Sequence, residues 1–165
     1  MTDNIFSVKG RVALVSGASS GLGEHIAEML ASHGVAVICA ARRIDLLQSL
    51  AERIVAKGGK ALAVAMDVTD RASVKAGYDL AEQAFGTPDI IVCNAGATGA
   101  QPFLEMQESV WDNVLSVNVK GVFNLAQEGA QRMVAAGKSG NIITISSICA
   151  VSSFKGLTHY SASKA

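Results

Sequence analysis

The stretch Ser16–Gly23, which reads Ser-Gly-Ala-Ser-Ser-Gly-Leu-Gly, constrains this chain more than any other. It follows an apolar run, Val12–Val15, and precedes an amphipathic segment, Glu24–His33. Strand, glycine turn and helix in that order are the setting in which such a loop binds phosphate. Residues without a Cβ let the backbone approach a pyrophosphate. The helix that follows offers that anion its unpaired N–H groups and positive dipole end. A glycine-rich turn alone is also a plain connection between a strand and a helix. As the first turn of an alternating strand/helix chain it points to dinucleotide binding, with Gly17, Ser19, Ser20, Gly21, Leu22 and Gly23 as contacts.

The alternation continues along the chain. Arg11–Val15 fits a buried parallel strand, and the segments Val35–Ala40, Ala61–Met66, Ile90–Cys93 and Asn141–Ser146 read as the second to fifth strands, the last an apolar edge. Between them, helical spacing marks Glu24–His33, with Ile26, Met29 and Leu30 on one face, and Asp45–Lys57, with Leu46, Leu47, Leu50, Ile54 and Val55. It marks Asp70–Phe85, with Asp70 as N-cap, and a long stretch, Val110–Ala136, carrying Val110, Val114, Val117, Val122, Leu125 and Met133. Gly34, Gly58-Gly59 and Gly137–Gly140 end helices. Thr2–Ser7 is a loose lead-in, Gly99–Glu108 a loop or short helix, and a further helix starts at Tyr160. The pattern predicts an α/β fold: a Rossmann-type, doubly wound parallel sheet with helices on both faces, in one dinucleotide-binding domain over residues 1–165.

Composition excludes other classes. The 165 residues suffice for a real core, and half of them are hydrophobic. A formal net charge of zero gives no electrostatic case for nucleic acid or an anionic membrane. No apolar run approaches the roughly 18 to 20 residues that span a bilayer, and the first residues lack a signal-peptide pattern. Cys39, Cys93 and Cys149 are odd in number, far apart and set in apolar runs. They read as buried free thiols of a reducing, cytoplasmic compartment. His25, His33 and His159 have no partners at metal-ligand spacing, so no metal is expected and they read as helix-surface or loop residues; a wall of a substrate pocket is the alternative for His159, beside Tyr160.

The spacing Gly17-x3-Gly21-x-Gly23 differs from the commoner G-x-G-x-x-G. It resembles the turn of the short-chain dehydrogenase/reductase family in its classical branch, where Thr usually stands in place of Ser16. The resemblance runs from about Lys9 to the last residue. It implies that NAD-preferring relatives carry Asp where this chain has Ala41. Arg42 follows, offering the charge and fork geometry that suit a 2′-phosphate, with Arg43 as a second contact. NADP(H) is therefore expected in preference, with NAD(H) as the alternative. The pair Asp67-Val68 matches the family's adenine contact. Asn94-Ala95-Gly96 matches the small-residue end of the fourth strand, with Cys93 in place of a further Asn.

Four residues match the family's catalytic tetrad: Asn118, Ser147, Tyr160 and Lys164. Asn is a poor mid-helix residue and suggests a local kink; the family's asparagine holds a water in a proton relay. Tyr160 and Lys164, four apart, share one face of a helix. An ammonium near a phenol favours phenolate, which makes Tyr160 a credible general acid/base. The family implies that Ser147 and Tyr160 contact substrate and that Lys164 and Tyr160 also contact cofactor. It also implies hydride transfer to or from a small carbonyl or alcohol, and dimers or tetramers. The rival reading is a non-catalytic, regulatory dinucleotide binder. The chain ends one residue past Lys164, while the family closes its pocket downstream, and five strands are read where such sheets have about six. The expectation is a domain lacking its C-terminal strands and helices, poorly active and loosely ordered over residues 147–165.

Overall fold

A computed structural model of the chain describes residues 6–152 and 154–165. Strands β1 (Val12–Ser16), β2 (Ala36–Ala41), β3 (Lys60–Ala65), β4 (Ile90–Cys93) and β5 (Asn141–Thr144) form one parallel sheet in the order β3-β2-β1-β4-β5. Six helices accompany them: α1 (Gly21–Ser32), α2 (Ile44–Ala56), α3 (Arg71–Phe85), α4 (Glu108–Leu115), α5 (Gly121–Ala135) and α6 (Thr158–Lys164).

Alternation along the central strands builds two cores. Leu14, Ile38, Val64 and Ile91 point to the face covered by α3 and α5, where they meet Tyr78, Leu125 and Met133. Val15, Val37 and Val92 point to the face covered by α1 and α2, against Ala27, Ala31, Leu47, Leu50 and Ile54. Burying each such Leu, Ile or Val contributes about 1.5–3 kcal/mol. The chain builds outward from β1 to β3, then returns to lay β4 on the other side of β1. That reversal opens a crevice beyond the C-terminal ends of β1 and β4, the place where open α/β sheets bind ligands.

Two expectations are corrected. The inward face of α1 is Gly23, Ala27 and Ala31, while Ile26 and Leu30 only flank it and Met29 is 50% exposed. The helix lies too close to the turn for larger residues: a Cβ on Gly23 would stand 2.5 Å from the Gly17 carbonyl oxygen. The stretch Val110–Ala136 is α4 and α5 joined by one π turn, Ser116–Lys120, which holds Asn118. A side chain that competes for backbone hydrogen bonds sits where the ladder widens.

Smaller shifts concern boundaries. Leu46 and Val55 are exposed, β5 ends at Thr144, α6 begins at Thr158, and Phe103–Glu105 is a 3₁₀ turn. The lead-in Thr2–Ser7 lies mostly outside the described residues. Asp70 caps α3 by accepting from Ala72 N–H. All three cysteines are free and buried, and burial pushes the thiols of Cys39 and Cys93 up to about 12 and about 11. Among the described residues no helix is long and apolar enough to cross a membrane.

Candidate active site

The glycine turn is held open by sterics and pinned by two polar side chains. Gly17 and Gly21 have φ of +67° and +61°, which L side chains rarely adopt. A Cβ on Gly17 would also stand 2.8 Å from Ala95 Cα. The Asn94 amide donates to the carbonyls of Ser16 (2.9 Å) and Gly17 (3.3 Å). Ser16 Oγ donates to Val92 O at 3.1 Å and accepts from the N–H groups of Asn94 and Ala95 at 3.0 and 3.1 Å. Ser16 thus rivets the end of β1 to the end of β4. Sequence reasoning missed this role; a hydroxyl at the last position of a buried strand is the signal that carried it.

Over this turn lies a cleft of about 350 Å³. Gly17, Ser19 and Ser20 form one wall, Ala40–Arg43 and Met66–Val68 the far side, and Asn94, Ala95, Gly96 and Val117 the floor. The predicted contacts at the turn and strand ends therefore converge. Leu22 projects from the first turn of α1 into solvent, and Gly21 and Gly23, like it, do not line the cleft. Ala40, Met66 and Val117 were missed because apolar residues at strand ends look like core in a sequence.

The two arginines do different things. Arg43 Nη2 donates to Ser19 Oγ and Ser20 Oγ, both at 2.8 Å. Those two hydroxyls keep their own protons to donate outward. Arg42 lies where its charge acts on Asp67. The Asp67 carboxyl is held below its ordinary value first by the Thr69 N–H (2.9 Å), then by the Thr69 hydroxyl (2.7 Å), with Arg42 adding to them against burial. Among the described residues no salt bridge neutralises either guanidinium.

Beyond Gly96 the cleft comes near two of the other predicted residues, Asn118 and Lys164. A Cβ on Gly96 would lie 3.5 Å from Asn118 Oδ1 and 3.8 Å from Lys164 Nζ. The Asn118 side chain, 3% exposed, is spent on the protein. Its Oδ1 accepts from Ala97 N–H (2.7 Å), and its Nδ2 donates to Ala97 O (2.9 Å) and Ser163 Oγ (2.8 Å). Lys164 Nζ donates to Ile145 O at 2.7 Å and stands 5.9 Å from the centre of the Tyr160 ring. Burial holds its ammonium below the ordinary lysine value. Ser147 Oγ accepts from Cys149 N–H at 3.1 Å and caps the 3₁₀ turn Ile148–Ala150. His159 is fully buried in α6 and lies neither on a helix surface nor in a loop, contrary to expectation.

A parallel sheet that reverses its order over a glycine-walled cleft defines a Rossmann-type α/β protein. The family profile of short chain dehydrogenases matches residues 11–165, and the chain belongs to that family. A short-chain type dehydrogenase/reductase of Mycobacterium marinum superposes with a TM-score of 0.92 at 38% identity, covering 96% of this chain and 63% of that one. A 3-oxoacyl-(acyl-carrier-protein) reductase of Thermotoga maritima is 35% identical over 96% of this chain and 64% of its own length. A glycine betaine reductase of Emericella nidulans is 40% identical over 95% of this chain but 12% of its own. The chain thus spans less than two thirds of the length of these relatives.

Proposed function

We propose that the chain is an oxidoreductase of this family that binds NADP(H) in preference to NAD(H) and acts on a small carbonyl or alcohol substrate. The observation that carries it is continuity: one cleft runs from the turn serines and Arg43, past Asp67, to Gly96, beside which lie Asn118 and Lys164. The cleft's residues fit a dinucleotide. A Cβ would fill the cradle at Gly17, and the un-neutralised Arg43 with two outward hydroxyls suits a phosphate monoester. The preference for a 2′-phosphate rests on Arg43 with Ser19 and Ser20 more than on Arg42, whose charge falls on Asp67.

When bound, the cofactor supplies or accepts the hydride. The residues do the rest. Tyr160 gives or takes the proton on the substrate oxygen, and Ser147 hydrogen-bonds the oxyanion as it forms. Lys164 holds the cofactor ribose and passes protons, which its lowered pKa assists. Asn118 fixes the loop after β4 to α6.

In a full-length form of the protein, NADPH consumption followed at 340 nm with a panel of ketones, and NADPH and NADH affinities measured by fluorescence, test this reading. Tyr160→Phe is expected to abolish turnover and leave NADPH affinity within about twofold, because a lost proton donor acts in the transition state alone. Arg43→Ala is expected to weaken NADPH about 10- to 150-fold, as loss of a charge-assisted bond of roughly 1.5–3 kcal/mol requires, and NADH little. Ordinary activity in Tyr160→Phe overturns the mechanism. Binding without turnover by a full-length form of the protein moves the reading to a regulatory dinucleotide binder.

A further inference from the structure

Helix α6 (Thr158–Lys164) carries Tyr160 and Lys164. Two bonds hold its C-terminal end to the sheet side, both through Lys164: its Nζ to Ile145 O, and its carbonyl to Ser146 Oγ at 2.7 Å. A third connection runs the other way, to the π turn, and it passes through a serine with no assigned role.

Ser163 is 9% exposed, and its hydroxyl donates to Tyr160 O at 2.8 Å. Back-bonding of this kind is ordinary for a helical serine and alone signifies nothing. The second bond does: the same oxygen accepts from Asn118 Nδ2, 45 residues earlier in the chain. Asn118 in turn grips both backbone groups of Ala97, next to Gly96 on the cleft floor. One unbroken chain of hydrogen bonds therefore runs from the cleft floor through Asn118 and Ser163 to the backbone of Tyr160. Among the described residues no other side-chain hydrogen bond joins α6 to the π turn.

We propose that Ser163 is a positioning residue for the reaction, setting the Tyr160 phenol against the cleft by tying it to Asn118; this rests on the reading of Tyr160 as the acid/base. Both Nδ2 protons of Asn118 are used, and removing the Ser163 hydroxyl strands one of them in a buried site. The strained link is relieved by movement of α6, and small displacements of a reacting group cost rate more than binding. The oxygen matters, so threonine substitutes for serine: its Oγ reaches the same carbonyl in a helix.

In a full-length form of the protein, the experiment compares Ser163→Ala, Ser163→Thr, Asn118→Ala and the Asn118→Ala/Ser163→Ala double variant with Tyr160→Phe, measuring kcat, KM, NADPH affinity and melting temperature. Ser163→Ala is expected to lower kcat about tenfold or more, with KM and NADPH affinity within about twofold. Ser163→Thr is expected to restore kcat to within about threefold of the parent, and the double variant to be no slower than Asn118→Ala, because the two residues act as one link. Ser163→Cys, of similar size but a weaker hydrogen-bonding partner, repeats the test at reduced amplitude if Ser163→Ala does not fold. Unchanged kcat in Ser163→Ala, additive losses in the double variant, or equal losses in kcat, affinity and melting temperature without rescue by threonine each overturn the proposal. Tyr160→Phe separates the failures. If it stays active, the acid/base reading falls and the proposal with it; if it is dead while Ser163→Ala is fully active, the proposal alone falls.

Discussion

Single residues at the glycine turn act through sterics before chemistry. Gly23 shows it best, because a Cβ there meets both the Asn94 amide and the Gly17 carbonyl at 2.5 Å. Neither neighbour yields easily, since the Asn94 amide is bound to the carbonyls of Ser16 and Gly17. Gly23→Ala is therefore expected to destabilise the protein by about 1–3 kcal/mol, the usual cost of overpacking, and to open the turn. Denaturant melts and NADPH titration check this, with affinity falling along with stability. Gly21→Ala is the contrast: no atom lies within 4 Å of its Cβ, so the strain comes from its positive φ alone. The need for glycine at these positions was legible in the sequence, because the spacing of the turn states it. The use of Ser16 as a rivet was not, since its partners lie 76 to 79 residues away.

At the scale of elements, α3 and α5 are joined by two cations, Arg71, which meets Gln127 and the Phe123 ring, and Arg132, which gathers three acids. Arg132 donates to Asp79 and Glu82 at 2.6 Å each and to Glu128 at 2.8 Å, and lies 5.5 Å from the centre of the Tyr78 ring. Burial works against its charge, but the bonds to Asp79, Glu128 and Glu82 outweigh it and hold the guanidinium above its ordinary pKa. Tyr78 completes the joint through a 2.9 Å bond to Leu125 O. Arg132→Leu leaves three carboxylates facing one another without their cation, so a loss of about 2–3 kcal/mol is expected. For a chain of this size that is a fall in melting temperature of roughly 5–10 °C. Glu128→Gln, which keeps two of the three acids, is expected to cost less than half as much; equal losses would show that the cation matters only through Glu128. The helices themselves were readable from period and caps. Their contact was not, because charges on an amphipathic helix look alike whether they pair or face water.

Across the whole molecule the sheet is fastened at both ends of its central strands. Ser16 and Asn94 close the cleft end. At the opposite end Asp89 accepts from Arg11 Nε (2.7 Å) and Val12 N–H (3.1 Å), and its carbonyl accepts from Asn141 N–H (2.9 Å). It therefore binds β1, β4 and β5 together. Asp89→Ala is expected to cost about 2–3 kcal/mol, since it leaves Arg11 Nε and the Val12 N–H without their acceptor and removes the charge opposite the guanidinium. NADPH affinity is expected to stay within about twofold, because five residues of β1 put roughly 16 Å between this joint and the turn. Urea melts against cofactor titration separate the two effects; a matching loss of affinity would show that the sheet transmits the damage.

What the sequence alone determined is whatever local sterics and periodicity dictate. The apolar runs Val12–Val15 and Ile90–Cys93 could only be buried strands, the alternation could only build a parallel sheet, and Gly17, Gly21 and Gly23 announced the cleft. The order of the residues along the chain also placed Asn118, Tyr160 and Lys164 in one family pattern. Only the tertiary structure decided which side of α1 is buried, that Arg43 and not Arg42 meets the turn serines, and that Ser163 joins Asn118 to Tyr160. The reason is distance along the chain. Arg43 lies 24 and 23 residues from its serines and Ser163 lies 45 from Asn118, so their partners are chosen by how helices and strands pack, a choice no local window of sequence contains.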